Sequence, residues 1–176
     1  GCLLHVWNHS LFKSLLFFGA GSVLLATGTR AIDRLGGLAK SMPLTATFFF
    51  AGSVAICGLP PLNGFVSELL IYLGLFRGLI DGAAMPAIVA PILAMVGALA
   101  LACFVKVGGA VFLGSPRTDS SARAKEAPVS MLLPMAVLAA ACALIGVAPW
   151  LLPPVLDSVI AAWQAPHGEL MSVGSL

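Results

Sequence analysis

Between Ala127 and Leu156 the chain carries no acidic, basic or histidine side chain. Three earlier stretches, about residues 3–28, 41–79 and 82–114, carry few. Crossing a hydrocarbon core about 30 Å thick takes about 20 predominantly apolar residues, and each stretch supplies that many. Inside hydrocarbon the backbone must satisfy its own hydrogen bonds, which a helix does within one segment. The pattern predicts an all-α, polytopic transmembrane bundle: spans over 3–28, 41–79, 82–114 and 127–149, then a short C-terminal helix over about 150–164. Only 9% of residues are charged, against about 25% in a soluble domain. The bilayer is therefore the expected solvent, and a net charge of +2 gives no reason to expect nucleic acid. Four or five helices are few for a transporter and the first residue is Gly1, so part of a longer chain is expected.

The remaining charges set an orientation. Arg30, Arg34 and Lys40 fall between the first two spans, and Arg117, Arg123 and Lys125 between the last two, whereas the middle loop has Arg77 alone. Positive loops stay in the cytoplasm, so the start of the chain and a tail carrying Asp157, His167 and Glu169 are expected outside. A signal peptide would also place His5 and Lys13 before an apolar run, but no Ala-x-Ala pattern follows and three further spans do. Cys2, Cys57, Cys103 and Cys142 fall one to a span, without the close spacing of zinc or iron–sulfur sites. They are read as free thiols acting as small hydrophobes.

His5, His9 and Lys13, in HVWNHSLFK, recur every four residues. On a helix they form one stripe about 12 Å long. Ionisable groups are expensive in hydrocarbon, so such a row is a candidate proton path. Zinc binding is the weaker alternative, because the H-E-x-x-H pattern needs Glu where Val6 stands. A packing role would have His5 and Asn8 hydrogen-bonded at the interface and Lys13 snorkelling. Lys13, however, lies about 15 Å into the span, where snorkelling is difficult.

The second span reads AICGLPPLNGFVSELLIYLGL. Pro60 and Pro61 lack N–H groups and Gly58 and Gly64 loosen the backbone, predicting a break near 58–64. Such a break is tolerated where the freed groups are buried or line a hydrated cavity, and it commonly builds an ion site. Glu68 follows by about one turn and suits a group that loads and releases a proton; the alternative is a carboxyl bonded to Ser67 or a neighbouring span for packing. In the third span Lys106 lies about 11 Å from Gly114, within snorkelling reach, and is the weaker candidate. Gly97, Ala98, Ala100, Ala102, Gly108, Gly109 and Ala110 predict that this span packs tightly inside the bundle.

HVWNHSLFKSLLFFGAGSV, DRLGGLAKSMP and GLPPLNGFVSE resemble the antiporter-like proton-conducting membrane subunits of respiratory complex I, membrane-bound hydrogenases and multisubunit sodium/proton antiporters. CFVKVGGAVFLGSPR and EAPVSMLLPMAVLAAACALIGVAP make the likeness closest to the large membrane subunit of formate-hydrogenlyase-type complexes. The resemblance implies a larger antiporter-like bundle of about fourteen helices with two inverted repeats, this chain holding the end of the second. It implies that the His-x-x-x-His-x-x-x-Lys helix carries protons toward a titratable group on the broken helix. His5, His9 and Lys13 match the first element, Glu68 the second, and Lys106 a position that is often basic. The charged Glu and Lys of the family's earlier repeat are absent from this chain.

The implied function is a proton-translocating membrane subunit of a redox-driven complex, a membrane-bound hydrogenase or formate-hydrogenlyase. Other membrane subunits and a peripheral redox arm, of nickel–iron hydrogenase or NADH dehydrogenase type, would be its partners in the cell inner (plasma) membrane. The chain itself would hold no cofactor, metal or catalytic site. The alternatives are a complex I antiporter-like subunit, a sodium/proton antiporter subunit and a structural membrane anchor.

Overall fold

A computed structural model describes residues 1–164; His167 and Glu169 lie outside the described residues. The helices are α1 (Cys2–Thr27), α2 (Leu38–Ser41), α3 (Pro43–Ile56), α4 (Asn63–Ile80), α5 (Met85–Phe112), α6 (Asp119–Ala122), α7 (Val129–Val147) and α8 (Pro153–Gln164), with 3₁₀ turns at Ile32–Arg34 and Pro149–Leu151. No strand occurs among the described residues. Four helices, α1, α4, α5 and α7, are each long and apolar enough to cross a membrane, and α3 is a shorter apolar helix. The chain is a multi-pass membrane protein.

Helix α1 is the centre of the bundle, in contact with α3, α4 and α7. Its buried residues, Leu4, Asn8, Phe12, Leu15, Leu16, Gly19, Ser22 and Val23, recur at three- and four-residue steps and so form one face. Helices α3 and α4 run along that face in sequence, antiparallel to α1. Gly1 lies against Ile71, His5 meets Ser67 and Asn8 meets Asn63. Further along, Phe12 packs with Ala55, Leu16 with Gly52 and Gly19 with Phe49. The two helices are thus one discontinuous span, interrupted between Ile56 and Asn63. Helix α7 packs against α1, α3 and α4 together, with Met135 on Ser22 and Gly146 against the Pro61–Leu62 backbone.

The cytoplasm-facing end expected from the charge bias is the better-built end. Leu16, Val23, Leu35, Leu38, Met42, Ala46, Phe49, Val111, Phe112 and Ala124 form one buried cluster there, with the Phe49 and Phe112 rings 5.0 Å apart. The two basic loops meet across it. The Arg34 carbonyl accepts from Thr118 Oγ1 at 2.9 Å and Ser121 Oγ at 3.0 Å, and Gly37 N–H donates to the Leu113 carbonyl at 2.9 Å. Both loops therefore lie on the same side of the membrane.

Glu126 holds the start of the broken span. Its carboxylate accepts from Leu44 N–H at 2.7 Å and from Thr45 Oγ1 at 2.6 Å. The first turn of a helix has N–H groups without intrahelical partners and a positive end, so an acceptor carboxylate there is stabilising, by about 1 kcal/mol.

Within this chain the third span packs along little of its length. In α5 only Ala90, Gly108, Val111 and Phe112 are buried, and Gly97 and Gly109 face open space where a side chain would begin. Its small residues line an open face; only Gly108, against the Phe50 ring, serves close approach.

Orientation is checked by cysteine labelling in a background lacking the four native thiols. Ser121 is buried, so the exposed neighbour Ser120 is the usable position, paired with exposed Ala83 in the α4–α5 loop. An impermeant maleimide should reach Ala83→Cys from outside the cell and Ser120→Cys only after the membrane is opened. Labelling of both from one side would overturn the orientation.

Candidate functional site: the stripe and the break

The His–Lys stripe runs beside the buried face of α1, offset from it by one residue. His5 is half-buried, whereas His9 and Lys13 are exposed within this chain. The His5 and His9 rings are 6.1 Å apart between centroids, and His9 lies edge-on to Phe12 at 5.1 Å. Lys13 Nζ sits 5.7 Å from the Phe17 ring centroid. Its side chain borders a groove of about 200 Å³ with Leu16, Phe17, Ala20, Phe49 and Phe104.

One member of the stripe reaches the broken span directly: His5 Nδ1 is 3.1 Å from Ser67 Oγ. The Ser67 hydroxyl lies within hydrogen-bond distance of the Gly64 carbonyl at 3.0 Å and the Asn63 carbonyl at 3.3 Å. Ser67 is thereby committed to the first turn of α4 and to His5, and not to Glu68.

At the break, Gly58 adopts a left-handed φ of +63°, a conformation that glycine alone takes without steric cost. The Glu68 carboxyl packs directly on the Gly58 Cα, in the space a side chain there would fill, and Gly64 lies equally close to the Ala55 carbonyl. These two glycines let the broken ends pass each other; Pro60 and Pro61 occupy the exposed crossing between them. Glu68 is half-buried and has no side-chain hydrogen bond or ion pair among the described residues.

Gly58→Ala tests this arrangement. A left-handed alanine costs about 1–2 kcal/mol, and its methyl group occupies the place of the Glu68 carboxyl. The variant should melt at a lower temperature than wild type, and its structure should show the Glu68 carboxyl displaced from the break. A carboxyl still seated over residue 58 at wild-type stability would show that Gly58 does not position Glu68.

Lys106 is not brought to this cluster. It is exposed on the open face of α5 and makes no hydrogen bond or ion pair among the described residues. The structure also brings two asparagines to the site. Asn8 and Asn63 are fully buried, and the Asn8 amide donates to the Asn63 carbonyl at 2.8 Å. The signal for them in the sequence is an amide side chain inside an apolar run, directly between the two histidines in one case and just after the prolines in the other.

Residues 1–92 match the family described as NADH:quinone oxidoreductase/Mrp antiporter, transmembrane. The chain is 47% identical over 158 residues to formate hydrogenlyase subunit 3 of Escherichia coli, covering 87% of this chain and 26% of that protein. It is 40% identical to hydrogenase-4 component B of the same organism, covering 98% of this chain and 26% of that protein. The chain thus spans about a quarter of the length of these relatives. Among solved structures it superposes on the membrane-bound sulfane sulfur reductase, an archaeal respiratory membrane complex, with a TM-score of 0.72 and 28% identity over 84% of this chain and 23% of that one.

Proposed function

We propose, since the chain belongs to the NADH:quinone oxidoreductase/Mrp antiporter transmembrane family, that it forms part of the proton-translocating membrane subunit of a redox-driven complex. The electron-transfer partner is a peripheral arm of nickel–iron hydrogenase type, as the likeness to formate hydrogenlyase subunit 3 and hydrogenase-4 component B suggests. Other membrane subunits complete the assembly in the cell's inner (plasma) membrane. This chain supplies no catalytic site and binds no cofactor of its own.

The observation that carries this reading is the unpartnered Glu68 carboxyl seated on the Gly58 break, one residue along α4 from Ser67, whose hydroxyl lies 3.1 Å from His5 of the α1 stripe. Lys13 holds or relays a proton near mid-membrane, and His9 and His5 extend the path toward α4. Glu68 exchanges the proton with one side of the membrane. Its place supports that role: the carboxyl reaches back onto Gly58, which packs beside Gly64, next to the Asn63 that Asn8 meets from between the two histidines.

The test is proton uptake by inverted vesicles containing the whole complex, driven by its redox reaction, in sodium-free and sodium-containing media. Uptake that is complete without sodium and abolished by a protonophore is expected. Uptake that requires sodium would replace the proton reading with ion exchange, and redox turnover without any ion movement would leave an anchoring role.

A further inference from the structure

The junction of α1 with α4 holds polar groups that neither the stripe nor Glu68 uses. Asn8 and Asn63 are both at 0% exposure. Beyond the hydrogen bond from the Asn8 amide to the Asn63 carbonyl, no oxygen or nitrogen among the described residues bonds Asn8 Oδ1, Asn63 Oδ1 or Asn63 Nδ2, and the weak sulfur partner Cys142 is the polar group beside the Asn63 side chain. Each buried polar atom left unsatisfied costs about 1–3 kcal/mol, so two asparagines here are a liability that leucines of similar volume would remove. Their presence is explained if another molecule completes their hydrogen bonding.

The valence of the orphaned atoms identifies that molecule. Two are acceptors and one is an amide donor, so the occupant must donate two hydrogen bonds and accept at least one. Water does both, and internal waters make about 2–4 such bonds. A metal cation would be served by the oxygens but opposed by the amide N–H groups, and no group of three metal-binding side chains gathers among the described residues.

The place is also connected. Asn63 lends its carbonyl to both Asn8 and Ser67, and Ser67 reaches His5. Asn8 stands between His5 and His9 in the chain, and the buried thiol of Cys142 on α7 lies beside the Asn63 amide. The asparagine pair therefore stands next to the stripe through Ser67 and His5 and at the start of α4, ahead of Glu68 in the chain.

We propose that Asn8 and Asn63 together hold an internal water, and that this water carries the proton between the α1 stripe and the break. The inference rests on the proton-relay reading above. The amides do not titrate. They orient the water, which takes a proton from a stripe nitrogen onto a lone pair, breaking that N–H bond, as one of its own O–H protons leaves to form an O–H bond at the next acceptor, so the water itself is unchanged.

The experiment uses the assembled complex with the full-length subunit. Asn63→Leu and Asn8→Leu keep volume but cannot hold water, whereas Asn63→Ser leaves a hydroxyl and room for a second water. Proton uptake per redox turnover should fall about 10²-fold in the Leu variants, the scale of losing a proton-transfer group, and should stay within about threefold of wild type in Asn63→Ser. A map of the wild-type complex at water-resolving resolution should show density about 2.7–3.2 Å from the two amides. Normal uptake by both Leu variants, or amides closed by protein atoms without water, overturns the proposal. If a Leu variant does not assemble, the wild-type map and Asn63→Ser decide. Lys13→Met serves as the control: when it stops uptake and Asn63→Leu does not, the water link falls and the relay stands. When Lys13→Met pumps normally, the relay reading itself falls.

Discussion

Replacing Lys13 by Met should abolish ion pumping by the assembled complex while leaving its redox arm active and its subunits in place. The side chain is exposed within this chain, so its loss removes no buried packing. Its one contact of note is the Phe17 ring at 5.7 Å, and a cation–π interaction of this kind is worth about 0.5–2 kcal/mol. Methionine keeps the unbranched stem and the lining of the groove formed with Leu16, Phe17, Ala20, Phe49 and Phe104. Only the amine is lost, the one lysine nitrogen on the stripe. His9→Ala should be milder, because a water can stand in for an imidazole in a relay. The check is vesicle acidification measured beside redox turnover: a Lys13→Met complex that acidifies at the wild-type rate would remove the stripe from the mechanism.

What the residues alone reveal follows from which interactions are local. Helix positions are legible because hydrocarbon admits few backbone solutions, and the break is legible because Pro60, Pro61, Gly58 and Gly64 act on their own backbone. The cap on α3 is not, because Glu126 approaches Leu44 and Thr45 from a distant part of the chain. For α5, small residues suggest a packing face, but they permit close approach without causing it; a bulky partner must be present, as Phe50 is for Gly108 alone. The stripe is legible as a periodicity. Its relation to the broken span is not, since Ser67 as the partner of the His5 contact depends on the antiparallel register of α1 and α4. The same register explains why Asn8 looks like an interface residue in isolation and proves to be fully buried.

Glu68→Gln should block or uncouple translocation, and Glu68→Asp should retain part of it. Glutamine matches glutamate in size and keeps its hydrogen-bonding capacity, but it cannot load and release a proton. The site is favourable for this comparison because the carboxyl has no hydrogen bond or ion pair among the described residues. The substitution therefore breaks no network, and the amide can occupy the same space over the Gly58 Cα. Asp restores titration but draws the carboxyl back by about one methylene, and proton transfer needs donor and acceptor within about 2.6–3.2 Å or one water apart. Partial activity in Asp with none in Gln separates loss of titration from loss of packing, since a packing residue would rank the variants the other way. Proton uptake by vesicles, normalised to redox turnover, is the measurement. Equal uptake by Glu68→Gln and wild type would reduce Glu68 to a filler of the break, and the proton would then have to leave the stripe by a route that does not pass the broken helix.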